Sequence, residues 1–324
     1  MRKGRVMRAA AILGIMLAAG SAAETKATES RMVLAEEEKS ETESEMSADD
    51  ALIEKQNGVD EALQQELENG YTLEDALIVV NPYGTAPLSA MAVFSTEEAL
   101  GGTVTVKGKS QENDVIGTFE AETDHMVPIY GLYSGQATEV VITLDDGTTT
   151  TFSVETEPVN VDLGTIQADM IDESSYDYSE LTFVCSAMGA LYALDGAGDM
   201  RFYTNMGGAL GVHQLRNGHL CIPSSEVLHP TYYKDGLLEI DLMGKIYQKY
   251  DVPGGQHHDF VELPNGNLLI ASDREDFSTV EDYVVEINRK SGKVVWELDM
   301  KDLISEEDGQ SASMDSDGSE ETDW

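Results

Sequence analysis

Leu263-Pro264-Asn265-Gly266-Asn267-Leu268-Leu269-Ile270 repeats, 48 residues on, the earlier run Leu215-Arg216-Asn217-Gly218-His219-Leu220-Cys221-Ile222. Asn-Gly favours the positive backbone angles of a tight turn, so each run predicts a hairpin entering an apolar strand. A second pair follows the same spacing. Leu237-Leu238-Glu239-Ile240-Asp241 with Gly244-Lys245-Ile246-Tyr247 is echoed by Val284-Val285-Glu286-Ile287-Asn288 with Gly292-Lys293-Val294-Val295-Trp296. Leu191-Tyr192-Ala193-Leu194-Asp195, followed by Gly198-Asp199-Met200-Arg201-Phe202-Tyr203, is an earlier copy of this second pair. Each unit is two hairpins of about 45 residues, the period of a β-propeller blade. One such sheet cannot cover both of its own faces and has to stack on neighbours. Residues 158–324 hold about three units, fewer than the roughly four to eight that close a ring, and so predict an incomplete propeller.

Upstream the pattern changes. Residues 76–157 carry short alternating runs at 76–80, 89–94, 102–106, 114–119, 125–132, 138–144 and 149–154, with Asp146-Gly147 as the clearest turn. Short strands at such spacing predict an Ig-like β-sandwich. The fold class is therefore all-β, a sandwich followed by part of a propeller. Residues 24–56 are rich in Glu, Ser, Thr and Ala and read as a solvated tether within an acidic linker over 24–75, with one short helix expected over 59–70, where Leu63 and Leu67 share a face and Gly70 supplies the stop.

The chain has 324 residues with 61 acidic against 20 basic, a net charge of −41. Such a balance repels phosphate backbones and anionic lipid, which excludes non-specific nucleic-acid binding. Residues 1–23 have the form of a secretory leader: Arg2, Lys3, Arg5 and Arg8, an apolar run over 9–19, then Gly20-Ser21-Ala22-Ala23. That run is too short to span a bilayer and predicts cleavage after Ala23, export, and no stable membrane insertion. Cys185 and Cys221 would then meet an oxidising compartment, where one bridge and two separately buried thiols are both compatible with the sequence. Asp315-Ser316-Asp317-Gly318 echoes part of a calcium loop but lacks the distal bidentate Glu, and residues 305–322 read as an exposed acidic loop. No Gly-rich phosphate loop or dinucleotide fingerprint occurs, and no cofactor is expected.

Candidate chemistry rests on histidine. His257-His258-Asp259 stands at the head of the strand leading to Asn265-Gly266, and His213 stands just ahead of Asn217-Gly218. His229 is the fourth candidate, whereas His125, on a sandwich strand, reads as structural. A neutral imidazole can serve as base, nucleophile or ligand. Neighbours on a strand face opposite ways, so His257 and His258 cannot both line one pocket, and no residue set at a known ligand spacing completes a metal site.

Three runs carry a resemblance: Asn81-Pro82-Tyr83-Gly84-Thr85-Ala86-Pro87-Leu88, Val104-Thr105-Val106-Lys107-Gly108-Lys109, and His125-Met126-Val127-Pro128-Ile129-Tyr130-Gly131-Leu132-Tyr133. They resemble the N-terminal sandwich of bacterial arylsulfate sulfotransferases, which are independent of nucleotide sulfate donors. The repeats resemble the first half of that family's six-bladed propeller. The resemblance implies transfer of a sulfuryl group from an aryl sulfate donor to a phenolic acceptor. A channel histidine attacks sulfur to give a sulfohistidine, while two further histidines and an arginine bind the sulfuryl oxygens.

Of these four, His258 alone matches a position in this chain, as the first supporting histidine, seven residues before Asn265. Asp323-Trp324 resembles the dipeptide ahead of the second, and the nucleophile and arginine match nothing here. Arg274 is near His258 in sequence but does not match the family arginine. The chain therefore reads as an N-terminal part, inactive alone, of an enzyme for which the resemblance allows a homodimer. The competing expectation is a secreted, non-catalytic sandwich-propeller protein that binds through its rim, with structural histidines.

Overall fold

A computed structural model describes residues 46–161, 180–185, 190–206, 211–229, 233–274, 282–304, 311–314 and 320–323. The expected leader lies outside them. Helix α1 (Ala48–Glu66) starts earlier than expected. Ser47 caps it by accepting the Asp50 N–H at 3.1 Å, and Asp49 and Asp50 lie in the first turn, where carboxylates suit the helix dipole. Residues 48–56, which by composition read as tether, are helical because they find tertiary partners. Gln56, 1% exposed, donates to the Gly244 carbonyl at 2.8 Å and accepts the Ile246 N–H at 2.7 Å.

The sandwich is built from β1 (Leu77–Val80), β2 (Ser89–Val106), β3 (Val115–Tyr130), β4 (Ala137–Leu144) and β5 (Thr149–Glu155). Five strands replace the seven expected, because two pairs of runs are continuous. Register shifts between Ser95 and Gly102 let the β2–β3 ribbon bend without breaking. β1 pairs with the first part of β2 and β4 with the last, so one bent sheet folds over a single core. Phe94, Ile129, Val140 and Ile142 meet there, each fully buried; each such side chain contributes about 1.5–3 kcal/mol.

The repeats form stacked sheets. The first holds β6 (Thr182–Cys185), β7 (Leu191–Leu194) and β8 (Met200–Thr204). The second holds β9 (His213–Gln214), β10 (Leu220–Pro223), β11 (Val227–His229), β12 (Tyr233–Ile240) and the first part of β13 (Ile246–Glu262). The third takes the rest of β13 with β14 (Leu268–Ser272), β15 (Tyr283–Asn288) and β16 (Lys293–Asp299). β17 (Ser311–Met314) and β18 (Glu320–Asp323) pair as a hairpin where the sequence suggests a loop.

The second and third sheets are two halves of one continuous eight-stranded hydrogen-bonded sheet, joined through β13, which Pro253-Gly254-Gly255 turns from β12 towards β14. Gly254 has φ +77, and a Cβ there would stand 1.8 Å from the Asp273 carbonyl oxygen, so only glycine fits. The two faces of the second sheet go to different neighbours. Leu220, Ile222, Leu238 and Ile240 pack on Leu191, Ala193 and Phe202, while Cys221, Leu237 and Tyr250 pack on Phe260, Ile270 and Val285. This is blade stacking, and the chain is an Ig-like sandwich followed by part of a propeller.

The repeated turn residues have a mechanical role. Asp195, Asp241 and Asn288 each accept backbone N–H groups two or more residues on: Ala197 and Asp199 at 3.0 Å, Met243 at 2.8 Å, and Ser291 at 3.0 Å. Sandwich and first sheet are joined at Arg201. It is wholly buried, donates to the carbonyls of Gly131 at 2.7 Å and Asn113 at 2.9 Å, pairs with Asp195 at 2.9 Å, and lies 4.1 Å from the Tyr133 ring centroid. The Gly131-Leu132-Tyr133 run is thus an arginine seat. No disulfide joins Cys185 to Cys221; burial in an apolar strand pushes the Cys221 thiol far up.

Candidate functional site

β13 and β14 pair at Gln256 with Ser272 and next at Phe260 with Ile270. Three residues, His257, His258 and Asp259, therefore face the single residue Ala271. This is a bulge, a device that re-aims side chains at the cost of ladder bonds. His257 turns inward, 5% exposed, with Nε2 3.1 Å from the Ser272 carbonyl oxygen and 3.7 Å from the Asp273 carboxylate. His258 is exposed at φ +54, one of two non-glycine residues with positive φ among those described. That left-handed conformation is uncommon for a residue with a Cβ and marks a constrained position. The two imidazoles meet edge to face, centroids 5.1 Å apart.

His213 comes to the same place from the neighbouring sheet. Its Nε2 lies 2.9 Å from Asp259 Oδ1, and its ring packs on Phe260 with centroids 4.6 Å apart. Asp259 Oδ1 also accepts the Phe260 N–H at 2.9 Å. A Cβ on Gly211 would be 3.2 Å from the Phe260 ring, so the segment leading into His213 lies directly against the residue that ends the bulge. The structure therefore brings together His213, His257, His258 and Asp259. Beside them a cleft of about 480 Å³ is lined by Pro253, Asp273, Arg274, Tyr283, Val285 and Glu297, sharing Asp273 with His257.

Other sequence candidates lie elsewhere. Arg274 pairs with Asp299 at 2.5 Å. His125 is buried in the sandwich, stacked on Phe94 with centroids 4.5 Å apart. His229 ends β11, and its side chain is outside the described residues, as are Trp324 and residues 315–319 of the calcium-loop echo. Among the described residues no three of His, Cys, Asp and Glu converge on a metal position. No described helix is long and apolar enough to cross a membrane.

Sequence reasoning missed the contact of Asp259 with His213, whose only signal is adjacency to the histidine pair. It also missed a polar cluster between the second and third sheets. Burial alone would raise the Glu239 carboxyl, but hydrogen bonds from Tyr250, Asn217, Arg289 and His219 outweigh it and hold it at about 2. The arrangement offers an anion an exposed imidazole at His258, while Glu239 is held as an anion by its own hydrogen-bond partners. An exposed imidazole can donate an N–H to an oxyanion.

Two family models match consecutive parts of the chain: an arylsulfotransferase Ig-like domain over residues 77–159 and arylsulfotransferase (ASST) over 167–324. The arylsulfate sulfotransferase AssT of Escherichia coli O6:H1 (strain CFT073) is 22% identical over 297 residues, covering 68% of this chain and 48% of its own length. The chain thus spans about half the length of the curated relative it matches. An auxiliary nutrient binding protein from Bacteroides ovatus, a solved structure, covers 64% of this chain and 54% of its own at 10% identity; its TM-score of 0.23 carries no argument. Sandwich and blades follow in the order of the two family models, and the chain belongs to the arylsulfotransferase family.

Proposed function

We propose that the protein takes part in sulfuryl transfer from an aryl sulfate ester to a phenolic acceptor, with His258 binding the sulfuryl oxygens. The observation that carries this reading is the ordered match of both arylsulfotransferase models along the chain. In the reaction a histidine nitrogen attacks sulfur, the S–O bond to the aryl group breaks, and a phenolate leaves and takes up a proton. The acceptor phenol loses its proton, its oxygen attacks sulfur, and the N–S bond breaks. The nucleophile that this scheme requires matches no residue of this chain. The part assigned to His258 is donation of an imidazole N–H to an oxygen whose charge grows in the transition state. Its exposure at the bulge supports that assignment.

The same reading extends to compartment and layout. Residues 1–23 are removed after Ala23 on export, 24–75 link the leader to the sandwich at 76–157, and 158–324 supply blades. The test is release of 4-nitrophenol from 4-nitrophenyl sulfate with phenol as acceptor, by the full-length protein. His258→Ala is expected to lower phenol-stimulated turnover by about 100-fold, the scale of losing an oxyanion donor. Unchanged turnover removes His258 from the site. N-terminal sequencing of the exported protein tests the leader.

A further inference from the structure

We infer that His213 is a positioning residue for His258, acting through the Asp259 carboxylate; this rests on the role of His258 proposed above. The bulge gives β13 three residues opposite one, so the ladder between the two strands is interrupted there. Asp259 Oδ1 ties the bulged segment to the segment that carries His213. It accepts two donors at 2.9 Å, the N–H of Phe260, where the ladder resumes, and Nε2 of His213. In sequence His258 lies between two anchored neighbours, Asp259, which meets His213, and His257, whose Nε2 is 3.1 Å from the Ser272 carbonyl oxygen.

The repeat supplies an independent argument. His213 lies two residues before Leu215, and Leu215 and Leu263 open identical turns, each accepting the N–H of the following Gly218 or Gly266 at 2.8 and 2.9 Å. The counterpart of His213 is therefore Val261, and the fold accepts an aliphatic residue at this register. The His213 and Asp259 side chains are 37% and 79% exposed. Pairs so exposed contribute little to stability, so the contact matters for geometry rather than for folding. Because Asp259 accepts only, Nε2 of His213 is the protonated nitrogen.

The test compares His213→Phe, which keeps the ring against Phe260 but loses the donor, with His213→Gln, which can restore it, and Asp259→Ala with Asp259→Asn. In the full-length protein, His213→Phe and Asp259→Ala are expected to lower kcat about tenfold with KM within about twofold and little change in Tm, while His213→Gln and Asp259→Asn retain most of the rate. In the same protein, ¹⁵N–¹H spectra of the His258 imidazole should move in His213→Phe and Asp259→Ala and stay in the two conservative variants. If His258→Ala lowers turnover while His213→Phe leaves both kcat and the His258 spectrum unchanged, the positioning role is overturned and the proposed function stands. If His258→Ala has no effect on turnover, the proposed role of His258 fails, and the spectra alone decide whether His213 sets its geometry.

Discussion

The Arg289 guanidinium meets the Glu239 carboxylate at 2.8 Å across the seam between the second and third sheets. Glu239 also receives Tyr250 Oη at 2.6 Å and Asn217 Nδ2 at 2.7 Å, with His219 Nδ1 at 2.8 Å, and Arg289 reaches on to Glu262 at 2.9 Å. A carboxylate so surrounded is stable only as an anion. Removing the cation leaves a largely buried charge with its other partners but without compensation. Arg289→Ala is expected to cost about 2–4 kcal/mol in urea unfolding at pH 7, below the figure for a fully buried pair because Arg289 keeps 17% exposure.

The pH dependence of the same group has a definite sign. The folded carboxyl is held at about 2, below the ordinary glutamate value. Its contribution is therefore complete above about pH 4.5 and is lost as pH falls from there towards 2. Urea midpoints measured from pH 5 to pH 2.5 should fall more steeply in the parent chain than in Glu239→Gln. Parallel slopes would remove Glu239 as the source.

Arg201 holds the sandwich to the first sheet with no solvent exposure, using two carbonyls, a carboxylate and the face of Tyr133. Arg201→Ala leaves Asp195 buried without its cation and should cost about 3–5 kcal/mol. Arg201→Met, which fills the space, should behave no better, because two carbonyl acceptors lose their donor. Unfolding followed separately by tyrosine fluorescence and far-UV circular dichroism should turn from one transition into two as sandwich and blades uncouple.

His125 gives a second dependence of the same sign in a higher pH window. Burial against Phe94 and Phe119 lowers its pKa, and the nearby Glu122 and Asp124 offset only part of this. The folded state favours the neutral ring, so stability is full above the ordinary histidine value and falls as pH drops from about 6.5 towards the depressed value. His125→Phe should flatten the Tm profile between about pH 7 and pH 5 while losing the 3.0 Å contact with Thr96 Oγ1. An unaltered profile would assign the slope to other groups.

What is legible in the sequence is whatever the backbone enforces locally. Asn217-Gly218 and Asn265-Gly266 declare their turns because the required angles admit few residue types, and the spacing of those turns reveals the stacked sheets. Helix α1 begins before its local pattern indicates, because its first turns depend on Gln56 reaching Gly244 and Ile246, partners 188 and 190 residues away. Sandwich runs that look separate in the pattern are single strands where bulges interrupt the alternation without ending the ladder. The bulge at His257–Asp259 is invisible for the same reason. Alternation alone separates the two imidazoles, but only the pairing of Gln256 with Ser272 decides that His257 is the one turned inward.

The backbone at His258 separates function from stability. At φ +54 an L-residue is strained, and a residue without a Cβ is not. If the imidazole is kept for chemistry, its contact with the His257 ring offsets little of the strain it carries. His258→Gly should then change stability by less than about 1 kcal/mol, relief of strain being set against the greater freedom of glycine in the unfolded chain. His258→Val, β-branched at the same angle, should cost about 1–2 kcal/mol more, since branched side chains tolerate this region least. Equilibrium unfolding of the three forms orders them, and turnover of the full-length protein should fall equally in both variants. A glycine variant markedly less stable than the parent would mean that the ring at 258 supports the bulge itself, and its exposure would then have a structural cause.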